Sequence, residues 1–510
     1  MSWAPVLLLL LGAEMRLRQW SGARSLWLDE ALIARSLVSR DYVGLVADPL
    51  QGEQAAPVLW LWASRLSLDL FGEHEKALRL VPLVGGLSAL VLVWLLARRL
   101  LPAVLVPVAV LLTVLSPSLL YFSNDVKPYS VDVAVCLGLV LLALRVPRAA
   151  GPSRPVALLA LAGSAAVWAS FASVFVLAGL SLVLVLTALR EGRGRAVGTG
   201  AVLSAWVVSL GLSYVAVLHR LADSEVLSSF WGYTFPDRAL DLPTWLLRRA
   251  VELTEDPLEL AVWPVALALL GYGAWQLRSR GWLLAASAVP VATVAAALSL
   301  YPFASRLALW LVPLAAIALA AALPSTAGQG RRVVATAAAL VLVAAPMATR
   351  SVPQVSEVLL VEELRPVMEQ LQEQRQPGDL VLVDIPAKAP YDFYTSLTGL
   401  GRDGVVLFAT TEEVGGRCND PVALKTGRFA TQRVWVVFAH PLSDPARLGT
   451  REDLLARIGD VTNVATTIEE FGAKAVLFDP AAPSRPPSTE PRNPERCLAV
   501  VRTVPPTGRP

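Results

Sequence analysis

The sequence predicts a polytopic α-helical membrane protein of about eleven transmembrane helices, followed by a C-terminal α/β domain outside the cytoplasm. Three observations predict it. A mean hydropathy of +0.56, with 55% hydrophobic residues over 510 positions, is too apolar for a soluble globular chain and too long for one domain. Arginine clusters end every second apolar run. Beyond about residue 350 the composition changes to short apolar runs between charged stretches, which divides the chain at 1–349 and 350–510.

The net charge of +3 is small, and its arginines lie in short connections, so it reads as a topology signal and excludes a nucleic-acid footprint. The clusters are Arg98-Arg99, then Arg145, Arg148 and Arg154, then Arg190, Arg193 and Arg195, then Arg278 and Arg280, then Arg331-Arg332. These connections face inward. The alternate ones, at 19–80, 122–130, near Ser170, 219–257 and 301–306, face outward, which puts the N-terminus inside and the C-terminal domain outside.

Residues 3–13 are apolar, but Glu14, Arg16 and Arg18 follow at once, short of the roughly 20 apolar residues a span prefers. No basic stretch precedes the run and no small-x-small cleavage site follows, against a signal peptide. The reading is a first span with snorkelling arginines, or a chain whose start lies upstream. In the first outer loop, Val58, Leu61, Trp62, Leu66 and Leu70 recur at helical spacing, as in a helix lying in the membrane interface. Phe230, Trp231, Tyr233, Phe235 and Trp245 read first as an interfacial aromatic belt and second as a sugar platform.

In the C-terminal part, 355–374 has helical periodicity, and 379–383, 405–408, 434–438 and 475–478 read as buried strands. Residues 480–494 are Pro-rich, and 497–504 can return as a further strand. Cys136 lies in an apolar run, so no zinc-like spacing exists; Cys418 and Cys497 are either bridged, given an oxidising exterior, or two free thiols.

The spans carry almost no ionisable residues near their centres, where a coupled transporter holds its ions and protons. Charges gather at their outer ends. Asp29 and Glu30 follow the first span; they are either acids in a helix first turn, stabilised by its dipole, or a catalytic pair. Ser123-Asn124-Asp125-Val126-Lys127-Pro128-Tyr129-Ser130 packs an acid, a cation and an aromatic into one loop, and the plain alternative is a turn with an interfacial lysine. Arg306 begins a span from the outside against the charge rule, and is either snorkelling or bound to an anion. As a set they suit glycosyl transfer. A carboxylate deprotonates a hydroxyl acceptor while Lys127 and Arg306 neutralise a departing phosphate. Without a cytoplasmic nucleotide-sugar domain, the donor is a sugar on a polyprenyl phosphate.

The order of motifs resembles the GT-C-fold membrane glycosyltransferases, in particular bacterial relatives of the protein O-mannosyltransferases and the lipid A aminoarabinose transferases. The matching stretches are Trp27-Leu28-Asp29-Glu30-Ala31, Ala56-Pro57-Val58-Leu59, Ala77-Leu78-Arg79-Leu80-Val81-Pro82, Leu115-Ser116-Pro117, Tyr121 through Tyr129, and Arg306 with Pro313. The resemblance covers roughly residues 1–350 and is strongest in the first 145. It implies a GT-C fold and an inverting transfer, with Asp29 as base and Asp125 as the second outer-loop acid. Where many relatives have Glu-Ala-Arg-Pro, this chain has Asp125-Val126-Lys127-Pro128, which keeps the charges but replaces a bidentate arginine by lysine. The family is divided on metal dependence. Asp29, Glu30, Asp125 and His74 carry ligand atoms for a divalent metal, but their spacing demands none.

The expected function is therefore a cell-membrane glycosyltransferase moving a sugar from a polyprenyl-phosphate donor to a hydroxyl acceptor on protein, lipid or envelope glycan. Asp29 and Asp125 are the catalytic candidates, and Glu30, Arg79, Lys127, Tyr129 and Arg306 the substrate-binding ones. Arg79 alternatively pairs with Glu75 one turn earlier. The competing classes are a lipid or small-molecule transporter and a non-catalytic membrane scaffold or sensor.

Overall fold

The structure is a computed structural model that describes residues 3–146, 153–191, 193–222, 224–278, 281–324, 330–398, 406–410, 431–440, 455, 459, 462–483 and 499–503. Cys418 and Cys497 lie outside these residues. Packing divides the chain into two compact units, Met1–Ala23 with Leu37–Val358, and Arg24–Ser36 with Leu359–Pro510. The second unit thus takes up a short early segment of the chain as well as its C-terminal part.

The first unit is helical. Among the described residues four of its helices, Leu80–Leu100, Ser173–Arg190, Ala196–Leu218 and Val333–Ser351, are long and apolar enough to cross a membrane. Shorter apolar helices are Tyr129–Ala143, Arg154–Ala169, Trp282–Ala297 and Ser305–Ala321. Their buried sides build one core from Met15, Leu90, Val93, Val110, Leu137, Leu180, Ala292 and Ile317 among others. The opposite sides leave Val91, Leu182, Val207, Val208 and Val341 exposed, as lipid-facing helices do. At the arginine-bearing ends, the guanidinium of Arg98 lies 4.9 Å from the Trp94 ring and that of Arg278 4.1 Å from Trp275. Such pairs suit the interface, where an aromatic face meets a cation at the edge of the apolar region.

The first helix, Ala4–Ser21, extends past the short apolar run because its basic residues are accommodated in two ways. Arg18 is exposed and pairs with Glu14 at 3.4 Å. Arg16 does not snorkel: it is buried and donates to the Gly12 carbonyl at 3.0 Å. The helix Val58–Phe71 buries Val58, Trp60 and Leu61 but exposes Trp62, Leu66, Leu70 and Phe71. This one-sided apolar exposure is what an interface-lying helix presents.

Two glycines set the spacing of the functional loop. Gly85 and Gly86 lie in the helix Leu80–Leu100, where a Cβ on Gly85 would come 2.9 Å from the Val131 backbone nitrogen and one on Gly86 would collide with Ser123. Only a residue without a side chain lets this helix approach 123–131 so closely. Gly86→Ala is expected to cost about 1–3 kcal/mol through overpacking. A lowered melting temperature of the protein in detergent checks this, and an unmoved one contradicts the close approach.

The second unit contains a six-stranded sheet of β1 (Leu380–Asp384), β2 (Val406–Thr410), β3 (Val434–Ala439), β4 (Asn463–Glu470), β5 (Ala473–Asp479) and β6 (Ala499–Thr503). The order is β4-β5-β3-β1-β2-β6; β1 pairs in parallel with β2 and β3, and the outer pairings are antiparallel. The central strands β1 and β3 are buried along their whole length and, apart from Asp384 at the end of β1, read as apolar runs, as a covered sheet requires. Leu382, Val436, Val476 and Phe478 form the core on one face. The helical periodicity at 355–374 is realised only over Leu364–Gln374. The residues before it are held by other partners, such as the Glu363 N–H on the Phe471 carbonyl at 2.8 Å.

Candidate active site

In the first unit the loop 123–128 joins the short helix Pro117–Phe122 to Tyr129–Ala143. Pro117 opens the first of these at a position where its missing N–H costs nothing, and the Ser116 hydroxyl caps it by accepting from Leu119 N at 3.2 Å. Asn-Asp ends the helix, as a turn signal should. Ser123 Oγ donates to the Leu120 carbonyl at 2.6 Å, and Asn124 Nδ2 donates to Ser123 Oγ at 3.0 Å. The Lys127 N–H closes the turn on the Asp125 carbonyl at 2.6 Å.

Asp125 and Lys127 are both buried, Asp125 completely. A charge taken from water is expensive unless hydrogen-bonded, so these two are the least ordinary residues in the loop. Lys127 Nζ donates to Gln54 Oε1 at 2.5 Å. Gln54 lies just before the Ala56-Pro57 motif and also lines a cavity of about 380 Å³ with Leu50, Val58, Leu61 and Arg220. Sequence reasoning missed Gln54; its only signal is its position beside that motif.

Arg306 begins a 3-10 turn, Ser305–Leu311. Its guanidinium lies 6.0 Å from the Tyr129 ring and 5.6 Å from the Trp231 ring. Two aromatic faces hold it at the outer edge of cation–π range. The structure therefore brings together Arg306 and Tyr129, two of the candidates, and adds Trp231 from the aromatic stretch. Arg79 is buried between Glu75–Leu78 and the helix Leu80–Leu100, with its N–H on the Glu75 carbonyl at 3.0 Å. His74 caps that short turn: Nδ1 accepts from Ala77 N at 3.2 Å, and Nε2 lies 3.1 Å from the Phe71 carbonyl. Both its ring nitrogens are thus engaged. Among the described residues no three His, Cys, Asp or Glu side chains gather to hold a metal ion.

In the second unit Asp29 and Glu30 stand in the first turn of the helix Leu28–Ser39. Asp29 is half-buried and Glu30 fully buried. Glu30 Oε2 accepts from Trp27 N at 3.4 Å, the reciprocal half of a capping box, and Oε1 lies 3.9 Å from Arg24. That geometry ties Glu30 to the local backbone and leaves Asp29 as the more accessible acid of the pair.

The helix Pro117–Phe122 is also fixed from the other side of the first unit. Glu259, at a left-handed backbone position (φ 51°), accepts from Ser118 N at 3.3 Å and has Arg350 at 3.9 Å. Burial pushes its carboxyl up to about 7, against the opposing pull of the Ser118 N–H and of Arg350. With the folded value above the unfolded one of 4.5, this group's contribution to stability is full below about pH 4.5 and lost as pH rises through about 7. The melting temperature of native protein should fall between pH 5 and pH 8 relative to that of Glu259→Gln. Parallel pH profiles for the two would contradict the assignment.

Residues 55–217 match the family model described as dolichyl-phosphate-mannose-protein mannosyltransferase. This segment contains Arg79, Asp125, Lys127 and Tyr129. Among solved structures, ArnT from Cupriavidus metallidurans is similar over 93% of this chain and 98% of its own in the apo state, at 14% identity and a TM-score of 0.50. The same protein bound to undecaprenyl phosphate is similar over 94% and 98%, at 14% identity and a TM-score of 0.51. The oligosaccharyltransferase of Archaeoglobus fulgidus is similar over 78% of this chain, at 13% identity and a TM-score of 0.46; the chain spans 63% of its length. Comparison by sequence with curated proteins returns no match. The fold is the GT-C fold of membrane glycosyltransferases.

Proposed function

We propose that the protein is a membrane glycosyltransferase that moves a sugar from a polyprenyl-phosphate donor to a hydroxyl acceptor on the outer face. The observation that carries this reading is the buried loop at 123–128, with Asp125 and the Gln54-bound Lys127, inside the segment that matches the mannosyltransferase family. A buried ammonium is costly to keep and is well suited to neutralise a leaving phosphate. The likeness to ArnT bound to undecaprenyl phosphate supports the donor class. In this account about eleven spans place the α/β unit outside the cell.

Asp29 is the general base. It takes the proton of the acceptor hydroxyl as that oxygen attacks the anomeric carbon, while the bond from that carbon to the phosphate oxygen breaks. The product is inverted at that carbon, and the electron pair leaves with the polyprenyl phosphate. Lys127 and Arg306 neutralise the departing phosphate, Tyr129 and Trp231 support the Arg306 guanidinium, and Asp125 orients the acceptor. The cavity beside Gln54 has an apolar wall of Leu45, Leu50, Val58 and Leu61 that suits the first carbons of a lipid carrier, with Asp48, Glu53 and Arg220 as its charged lining. No step is routed through a metal.

The test is release of free polyprenyl phosphate by purified protein in lipid from a panel of polyprenyl-phosphate sugars. Asp29→Asn is expected to lower kcat by about 10²-fold or more with donor binding retained, since an amide cannot take the proton. Lys127→Ala is expected to weaken donor binding as well as turnover. Equal release by native and Asp29→Asn protein would overturn the base assignment, and a panel in which no donor binds would overturn the donor class. Transport that survives Asp29→Asn would favour the transporter reading instead.

A further inference from the structure

The segment that carries Asp29 is held by residues more than 300 positions away. The Glu363 carboxylate accepts from the Ser25 backbone N–H at 3.2 Å (Oε1) and 3.3 Å (Oε2), and from Ser25 Oγ at 3.0 Å. Ser25 Oγ in turn accepts from Arg365 N at 3.2 Å. The next N–H, of Leu26, donates to the Tyr394 hydroxyl at 2.7 Å. The Trp27 ring stacks on His440, with centroids 6.2 Å apart and planes inclined by 12°. Further along, Arg35 pairs with Asp392 at 3.0 Å, a carboxylate that Lys388 also reaches at 2.6 Å.

Every one of these contacts lies within the second unit, and those to the Ser25 and Leu26 backbone are shielded from solvent. Ser25, Leu26, Tyr394, Glu362 and Glu363 are all buried. His440, at the end of β3, adopts a left-handed backbone conformation (φ 66°) that is costly for a residue with a side chain. Its Nδ1 lies 3.6 Å from the Glu362 carboxylate, an ion-pair distance beyond hydrogen-bond contact. Burial pushes the Glu362 carboxyl up, while His440 and the Leu28 N–H draw it back down.

We propose that Glu363, Tyr394 and His440 are positioning residues with which the α/β unit clamps the backbone of residues 25–28 and so fixes the direction of Asp29. The inference rests on the reading of Asp29 as base. The N–H groups just ahead of a helix have no partner in that helix, and a segment without local partners frays. Here side chains from the other end of the chain take them. An unmet buried donor costs about 1–3 kcal/mol, so each contact is a real restraint on the backbone. A displacement of about 1 Å in a reacting group can cost about 10²-fold in rate, which makes such restraint a kinetic matter as well as a structural one.

Two readouts on the full chain in lipid nanodiscs test this. The first is amide hydrogen exchange at residues 25–28 in native protein, Glu363→Ala, Glu363→Gln and Tyr394→Phe. Exchange there should rise at least tenfold in Glu363→Ala and Tyr394→Phe, with the helix Ala4–Ser21 unchanged, and Glu363→Gln should keep most of the protection. The second is polyprenyl phosphate release with Asp29→Asn as control. Glu363→Ala and Tyr394→Phe should lower kcat by roughly 10–100-fold with KM within twofold, and Glu363→Gln should restore most of it. Unchanged exchange at 25–28 overturns the clamp. Raised exchange with unchanged Asp29-dependent kcat overturns its role in positioning. If no donor of the panel binds native protein, the proposed function fails, and the clamp is judged on exchange alone.

Discussion

Irregular backbone among apolar helices survives only where protein groups satisfy its donors and acceptors, because lipid offers none. The loop 123–128 meets that constraint in the first unit. Ser123, Asn124 and Lys127 turn their donors onto nearby oxygens, and Gly85 and Gly86 bring a helix backbone close enough to cover the loop. Burial in protein imposes a like demand in the second unit, where the residues ahead of Asp29 have their N–H groups met by Glu363 and Tyr394. In both places the irregular stretch lies beside a candidate acid, Asp125 in one and Asp29 in the other.

Charge follows the backbone. Asp125, Lys127, Arg79 and Glu30 are buried, which a folded chain tolerates only with polar partners at hand. Lys127 has Gln54, and Glu30 has the Trp27 N–H and Arg24. Arg306 is held differently, over two aromatic faces.

The sequence made the apolar architecture legible because long apolar runs have few alternatives. The buried strands β1 and β3 were equally plain. β4, Asn463–Glu470, was not: its threonines and glutamates alternate with few apolar residues, and it is largely exposed on one edge of the sheet. The helical period at 355–374 misled for a physical reason, since Glu362 and Glu363 are engaged by Leu28, His440 and Ser25 and not by a helix of their own. Motif order singled out Asp29, Asp125, Lys127 and Arg306 as candidates. Gln54, Glu363 and Tyr394 escaped because their contacts exist only through partners far away in the chain, up to 368 positions for Tyr394 and Leu26.

A single displacement with Asp29 as base has one stereochemical consequence that no scaffold, transporter or two-step enzyme shares. The anomeric configuration of the first-formed product, read by NMR from a donor of defined configuration, tests the account most directly. Inversion at the transferred carbon is the result it predicts. Retention would require a covalent glycosyl intermediate or another path, and would contradict it.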